Sequence, residues 1–465
     1  MSSFIDRLWD EDIIPTLTDY IRIPNKSPMF DPDWFAHGHM AKAVALFEAW
    51  AKNHLAKVPG AKVEVIAPEG RTPLIFIEIP GTAPGNVLLY GHLDKQPEMK
   101  GWSEGMGPWT PVLKDGKLYG RGGADDGYAM FAALSAILAL HESGTAHARC
   151  VITIEAGEES GSPDLEYYIN ALSDRIGAVD LVVCLDSGCG NYEQLWLTTS
   201  LRGIAAGTLN IRVLTEGVHS GDASGIVPSS FRVLRQLLSR IEDESTGAMT
   251  IDDFFVTVPP DRLAQAKEAA AVLGDEVFNR LPFAGKTRPM AASHEEMILN
   301  RTWKPQLSVI AIDGYPAPAA AGNVLLPFST AKLSLRLPPT CDAEKAVAAL
   351  KNVLEANPPY DAEVTFDAEH GQGGWNAPTL TPWLDASVSR ASQAHFGKPA
   401  AFMGEGGSIP FMGLLGQKFP GTQFVVTGVL GPNANAHGPN EFLHLGVAKK
   451  ISAAIADILA DHGKK

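Results

Sequence analysis

Two histidines and a set of carboxylates stand at the ends of short apolar runs in this sequence. They are His92 and Asp94 in Gly91-His92-Leu93-Asp94, Asp125 and Asp126 in Gly123-Ala124-Asp125-Asp126-Gly127, and the pair Glu158-Glu159. Asp186 follows Val182-Val183-Cys184-Leu185, and His437 lies in Asn435-Ala436-His437-Gly438-Pro439-Asn440-Glu441. Imidazole and carboxylate are ligands for divalent cations. Three carboxylates and two imidazoles nearly neutralise two such cations and leave a water-derived hydroxide between them, the charge balance of two-metal hydrolysis. Residues two apart on an extended segment face the same side, so Asp94 is placed to orient the His92 imidazole. In Glu158-Glu159 one carboxylate binds metal while its neighbour, left free, takes a proton from the attacking water. Each feature alone also has a structural explanation. His92 suits a satisfied core histidine, Asp125-Asp126 a helix N-cap, and Glu158-Glu159 an acidic pair near a helix opened by Ser162-Pro163. Asp186 alone is a strand-end aspartate and His437 a loop histidine. Their coincidence favours the metal site.

The elements needed to position these groups are legible in the same stretches. Asn86 to Tyr90, Cys150 to Ile154, Leu181 to Leu185 and Gln423 to Val429 are Val/Ile/Leu-rich and of strand length, as in a parallel sheet buried on both faces. Open α/β sheets bind ligands at the carboxyl ends of their strands, which gathers the groups in one crevice. Residues 38–58 read as a helix, Val63 to Ile66 and Leu74 to Ile79 as strands, and the apolar stretch from Tyr128 to Leu140 as a buried helix stopped at Ser143-Gly144. From about Arg202 the texture changes. Ile204 to Val213 alternates, a helix follows Pro228, and Ala331 to Leu337 alternates before a helix over Ala343 to Leu354. The expected fold class is α/β: a mixed, largely parallel sheet catalytic domain in two parts, residues 1–201 and 371–465, with an inserted α+β domain over residues 202–370.

A chain of 465 residues suggests more than one core. A net charge of −15 argues against nucleic acid as a partner and for a small-molecule or peptide substrate. The N-terminal residues lack a basic segment followed by an apolar one, and no stretch approaches a membrane span, so the expectation is a cytoplasmic protein with no membrane partner. The four cysteines, Cys150, Cys184, Cys189 and Cys341, lack a zinc-finger spacing and read as free thiols.

Taken together, these segments resemble the metallopeptidase family of carnosinases, nonspecific dipeptidases, glutamate carboxypeptidases, acetylornithine deacetylase and succinyl-diaminopimelate desuccinylase. The resemblance implies His92, Asp125 and Asp186 on one metal ion and Asp125, Glu159 and His437 on the other, with Asp125 bridging. It implies Glu158 as general base, Asp94 as the aspartate behind the ligands, and a cis bond between Asp125 and Asp126. The inserted domain corresponds to the family's lid or dimerisation domain, so a homodimer is implied. Within it, Gly217-Val218-His219-Ser220-Gly221 is similar to the segment whose histidine reaches the partner's active site, which makes His219 catalytic in trans. Asn323 and Arg336 fall where relatives hold the scissile carbonyl region and a substrate carboxylate, and an arginine's planar fork suits the latter. The turn Gly404-Glu405-Gly406-Gly407-Ser408 resembles a substrate-cradling loop, giving Gly407 and Ser408 as binding residues.

Asp at position 186 and the long segment between Ser245 and Lys304 resemble the dipeptidase branch, carnosinases most of all. There is one departure: the carnosinase histidine before the paired glycines is replaced by Gln372, with His370 two residues earlier. The expected function is a dinuclear metal-dependent hydrolase cleaving dipeptides or similar short substrates with a free carboxylate. The alternatives are an N-acyl amino acid deacylase or desuccinylase, or a silent binding protein. Zinc suits the ligands, and manganese or cobalt would also be accepted.

Overall fold

Runs without a charged residue bury both faces, and in the computed structural model of this chain three of them form the middle of a six-stranded sheet and the fourth, at Gln423, its edge. The structure describes residues 1–407 and 409–465. Across the sheet the strands are Lys62–Ile66, Leu74–Ile79, Arg149–Glu155, Asn86–His92, Leu181–Cys184 and Gln423–Val426. The last four are mutually parallel, and the first two join by antiparallel pairings. This is the mixed, largely parallel sheet that the sequence implied. His92 is in register with Glu155, and Tyr90 with Cys184, so three neighbouring strands deliver their carboxyl ends to one edge.

The strand at Gln423 ends at Val426 rather than Val429. Beyond it the Thr427 hydroxyl donates to the Trp196 carbonyl at 2.7 Å. Gly428 presses against the Ser187 backbone, where a Cβ would sit 1.8 Å from the carbonyl oxygen.

The long apolar stretch forms the helix Ala129–Glu142, buried continuously from Ala129 to Leu140. It packs on Leu445–His462 and on the strand Asn86–His92, and Phe131 meets Phe47 and Trp50 edge-on. Gly144, at φ 66°, takes the left-handed position that ends it. The expectation of an N-cap at Ser162-Pro163 is corrected: the next helix is Leu165–Ala171. Ser162 has a φ of 52° and its hydroxyl is spent on Glu155 at 2.9 Å, which removes it from capping.

Two compact units divide the chain. The first comprises Met1–Thr198, Ala377–Met403 and Leu414–Lys465, and the second Thr199–Asn376 and Gly404–Gly413. The second unit is built on an antiparallel sheet ordered Gln306–Asp313, Phe328–Leu337, Gly203–Arg212 and Glu363–Ala368. Phe328–Leu337 alternates strictly between buried and half-buried positions, and its inner side meets the helices Ser230–Leu238 and Ala343–Glu355 through Leu333, Leu335, Leu234 and Leu350. Asp342 starts the latter helix by accepting the Lys345 N–H at 3.0 Å. Among the described residues, no helix is long and apolar enough to cross a membrane.

Candidate active site

The carboxyl edge of the first unit's sheet gathers the acidic groups. His92 is the last residue of its strand, and the backbone there runs so close to the Asp125-Asp126 turn that a Cβ on Gly91 would lie 2.7 Å from an Asp126 carboxylate oxygen. The His92 Nδ1–H donates to the Asp94 carbonyl at 3.2 Å, with the Asp94 carboxylate 3.5 Å away. That bond leaves the Nε2 lone pair free, and Nε2 lies 3.3 Å from Asp125 and 3.8 Å from Asp186. Asp125 and Asp126 are joined by a cis peptide bond, and their backbone is not helical, so the turn is not an ordinary N-cap.

Glu158 and Glu159 open a single 3₁₀ turn immediately after the strand Arg149–Glu155. Asp94 fixes it: its two carboxylate oxygens accept the Glu158 N–H at 3.1 Å and the Glu159 N–H at 3.0 Å. Asp94 therefore does more than orient the imidazole. Gln96 donates to Glu159 at 2.5 Å. His437, at a φ of 63° in its loop, brings Nε2 to 3.1 Å from Asp125 and 3.4 Å from Glu159.

Donor atoms of His92, Asp125 and Glu159 lie within 4.8 Å of one another, and so do those of His92, Asp126 and Asp186. The His92 Nε2 and one Glu159 oxygen are buried without a hydrogen-bond partner. Burial pushes Asp186 up to about 6, and burial followed by the Asp186 charge holds Glu158 well above the usual carboxylate range. Burial alone would raise Asp125 too, but the His437 and His92 imidazoles beside it hold it well below that range. Such an excess of buried carboxylate with orphaned donor atoms fits divalent cations.

The remaining predicted residues lie in the second unit. His219 and Asn323 come together there: His219 pairs with Val324 across a two-stranded ladder, and the Ser220 N–H donates to the Asn323 carbonyl at 2.9 Å. The His219 ring is 69% exposed. Arg336 sits on Phe328–Leu337 opposite Ile204 and Gln306, half-buried, with its pKa lowered by burial. The Gly407 carbonyl accepts the Arg202 N–H at 3.1 Å, and Ser408 lies outside the described residues. His370 is 87% exposed and pairs with Glu344 at 2.9 Å, while the Gln372 backbone bonds to Ile204.

Several participants escaped sequence reasoning. Asp126, given no ligand role there, accepts the His92 N–H at 3.2 Å and keeps its other oxygen buried and unpaired. The Arg121 and Glu441 side chains, 1% and 0% exposed, form an ion pair at 2.6 Å. Glu441 also accepts the Gly122 N–H at 2.9 Å, and Arg121 donates to the Gly438 carbonyl at 2.8 Å, so the pair ties the Asp125 turn to the His437 loop. The available signals were Glu441 at the end of the His437 motif and Arg121 in Gly120-Arg121-Gly122-Gly123, just before the Asp125 turn.

Residues 88–461 match the profile of Peptidase family M20/M25/M40. The chain is 28% identical over 400 residues to a cysteinylglycine-S-conjugate dipeptidase of Corynebacterium striatum, covering 83% of this chain and 82% of the relative. It is 25% identical over 434 residues to a beta-Ala-His dipeptidase of Rattus norvegicus, covering 88% and 84%. Among solved structures it has the fold of the dipeptidase Dug1p from Saccharomyces cerevisiae, with a TM-score of 0.79 at 22% identity over 100% of this chain and 98% of the other. Human carnosine dipeptidase 1 gives 0.78 at 22% identity, with the same coverage.

Proposed function

This chain belongs to peptidase family M20/M25/M40, and on that premise we propose that it is a dinuclear metal-dependent dipeptidase acting on short substrates with a free carboxylate. The observation that carries the reading is Asp125: one carboxylate with His92 at 3.3 Å from one oxygen and His437 at 3.1 Å from the other, as a ligand shared by two cations requires. The names of the curated relatives supply the substrate class. His92, Asp125 and Asp186 would hold one cation, and Asp125, Glu159 and His437 the other. Zinc is the first choice for this donor set, with manganese and cobalt as substitutes. When bound, the cations supply Lewis acidity toward the scissile carbonyl and toward water.

The protein's own groups do the rest. Glu158 takes the proton of the attacking water and returns it to the leaving amine. Asp94 holds the base and its neighbouring ligand in place through their backbone amides. In the second unit, Arg336 receives the substrate carboxylate with Gly407 as a further binding residue, and Asn323 sits beside His219. His219 donates to the developing oxyanion of the partner subunit in a homodimer formed through this unit, a role that its exposed ring supports. Four free, buried cysteines agree with a cytoplasmic setting, and the strongly acidic chain with the absence of nucleic-acid partners.

The test is turnover of a dipeptide panel and a matched N-acyl amino acid panel after loading with zinc, manganese or cobalt. Dipeptides should be cleaved and N-acyl compounds left; cleavage of N-acyl compounds at equal rate would replace this reading with a deacylase. Mixing His219→Ala with Glu158→Gln subunits should restore activity by creating one intact site per heterodimer, and an active monomer would remove the homodimer.

A further inference from the structure

The second unit buries charge of the opposite sign. Arg202, 8% exposed, follows the strand Trp196–Leu201. Its Nε–H donates to the Gly406 carbonyl at 3.1 Å, but Nη1 is buried without any hydrogen-bond partner. Arg336 and Arg301 stand near enough for their charges to act on it, and Glu405, paired with Arg301 at 3.2 Å, is the carboxylate that opposes them. Two residues back along the same strand, Ser200 is fully buried and its hydroxyl also lacks a partner. Burial first, then Arg336 and Arg301, push Arg202 down to about 10.

Burying a guanidinium with an unused N–H costs several times what an ordinary hydrogen bond returns, unless an anion completes it. Arg202 carries such an unused N–H. A planar carboxylate matches a guanidinium edge with two parallel bonds, and the unpaired hydroxyl of Ser200, two residues away, is a further donor.

We propose that Arg202 is a second carboxylate-binding residue, which grips the C-terminal carboxylate of the substrate together with Arg336. The identity of that ligand rests on the dipeptidase reading; the anion site itself does not. Arg336 alone would be a half-buried charge on a sheet, whereas Arg202 is held rigidly by the Gly406 and Gly407 carbonyls and presents Nη1 in a fixed direction.

The experiment compares the intact metal-loaded protein with Arg202→Met and Arg202→Lys. One arm measures kcat/KM for a dipeptide and for its C-terminal amide. The other measures calorimetric binding of N-acetylglycine and N-acetylglycinamide, which needs no turnover. The unaltered protein should prefer the free acid about tenfold to a hundredfold, and Arg202→Met should bring that ratio toward one, mainly through KM. Arg202→Lys keeps the charge without the fork and should retain part of the preference; it carries the test if Arg202→Met does not fold. Equal loss on acid and amide would mean a structural role and overturn the proposal, as would an unchanged ratio. If no dipeptide is cleaved but N-acetylglycine binding still depends on Arg202, the dipeptidase reading falls and the carboxylate site stands. If dipeptides are cleaved and neither arm responds to Arg202, the reading stands and the site falls.

Discussion

The two units bury charge in opposite ways. In the first, Asp125, Asp126, Glu158, Glu159 and Asp186 crowd two imidazoles, and donor atoms on His92 and Glu159 remain unpaired. In the second, Arg202 lies near Arg301 and Arg336, Glu405 pairs with Arg301, and an N–H of Arg202 remains unpaired. Elsewhere the first unit can bury an ion pair to completion: Arg121 and Glu441 satisfy each other and the surrounding backbone. The unfinished clusters thus differ from the finished one in having orphan donors and acceptors, and the sign of the excess names the ligand class: cations for one, carboxylates for the other.

The hardest test of the acidic side is to separate proton transfer from metal binding. Glu158→Gln should keep both metals, by elemental analysis, and lose turnover by about a hundredfold to ten-thousandfold, since general acid–base groups contribute that much. Asp125→Ala should lose metal instead. Metal-depleted Glu158→Gln protein, with activity falling only in proportion, would erase the distinction. The completed pair comes next: Arg121→Met strands Glu441 as a buried charge and should cost about 3–5 kcal/mol in denaturant unfolding, as breaking buried pairs does. A loss under about 1 kcal/mol would show that the Asp125 turn and the His437 loop are held by other means. On the basic side, Arg336→Ala should cost about 1.5–3 kcal/mol of transition-state binding for free acids, read as kcat/KM, and nothing further for C-terminal amides. At the bottom of the scale, Arg22→Ala removes an ion pair to Asp19 at 2.6 Å whose side chains are 56% and 67% exposed. Its effect on unfolding should stay within about 1 kcal/mol, because solvent screens it.

What the sequence disclosed follows from the range of the forces involved. The runs at Asn86, Cys150 and Leu181 and the helix after Tyr128 were readable because burial on all sides leaves no charged position in the pattern. Their order was not, because placing Arg149–Glu155 between Leu74–Ile79 and Asn86–His92 depends on contacts far apart in the chain. The same limit divides the site. His92 and Asp94 advertise themselves by a spacing of two, whereas the hold of Asp94 on the amides of Glu158 and Glu159 crosses more than sixty residues. Arg121 and Glu441 are farther apart still, and each alone looks like a surface charge. Ser162 misled because a serine before a proline is a good helix start by local chemistry, and only the distant Glu155 reveals why its hydroxyl is unavailable.

The grip of Asp94 on two consecutive amides has a consequence for how the site moves and how it can vary. One carboxylate immobilises Glu158 and Glu159 together, so the hydrogen exchange of both amides with solvent should be governed by a single opening event. A substitution at position 94 that removes both carboxylate oxygens would therefore release the two glutamates in concert.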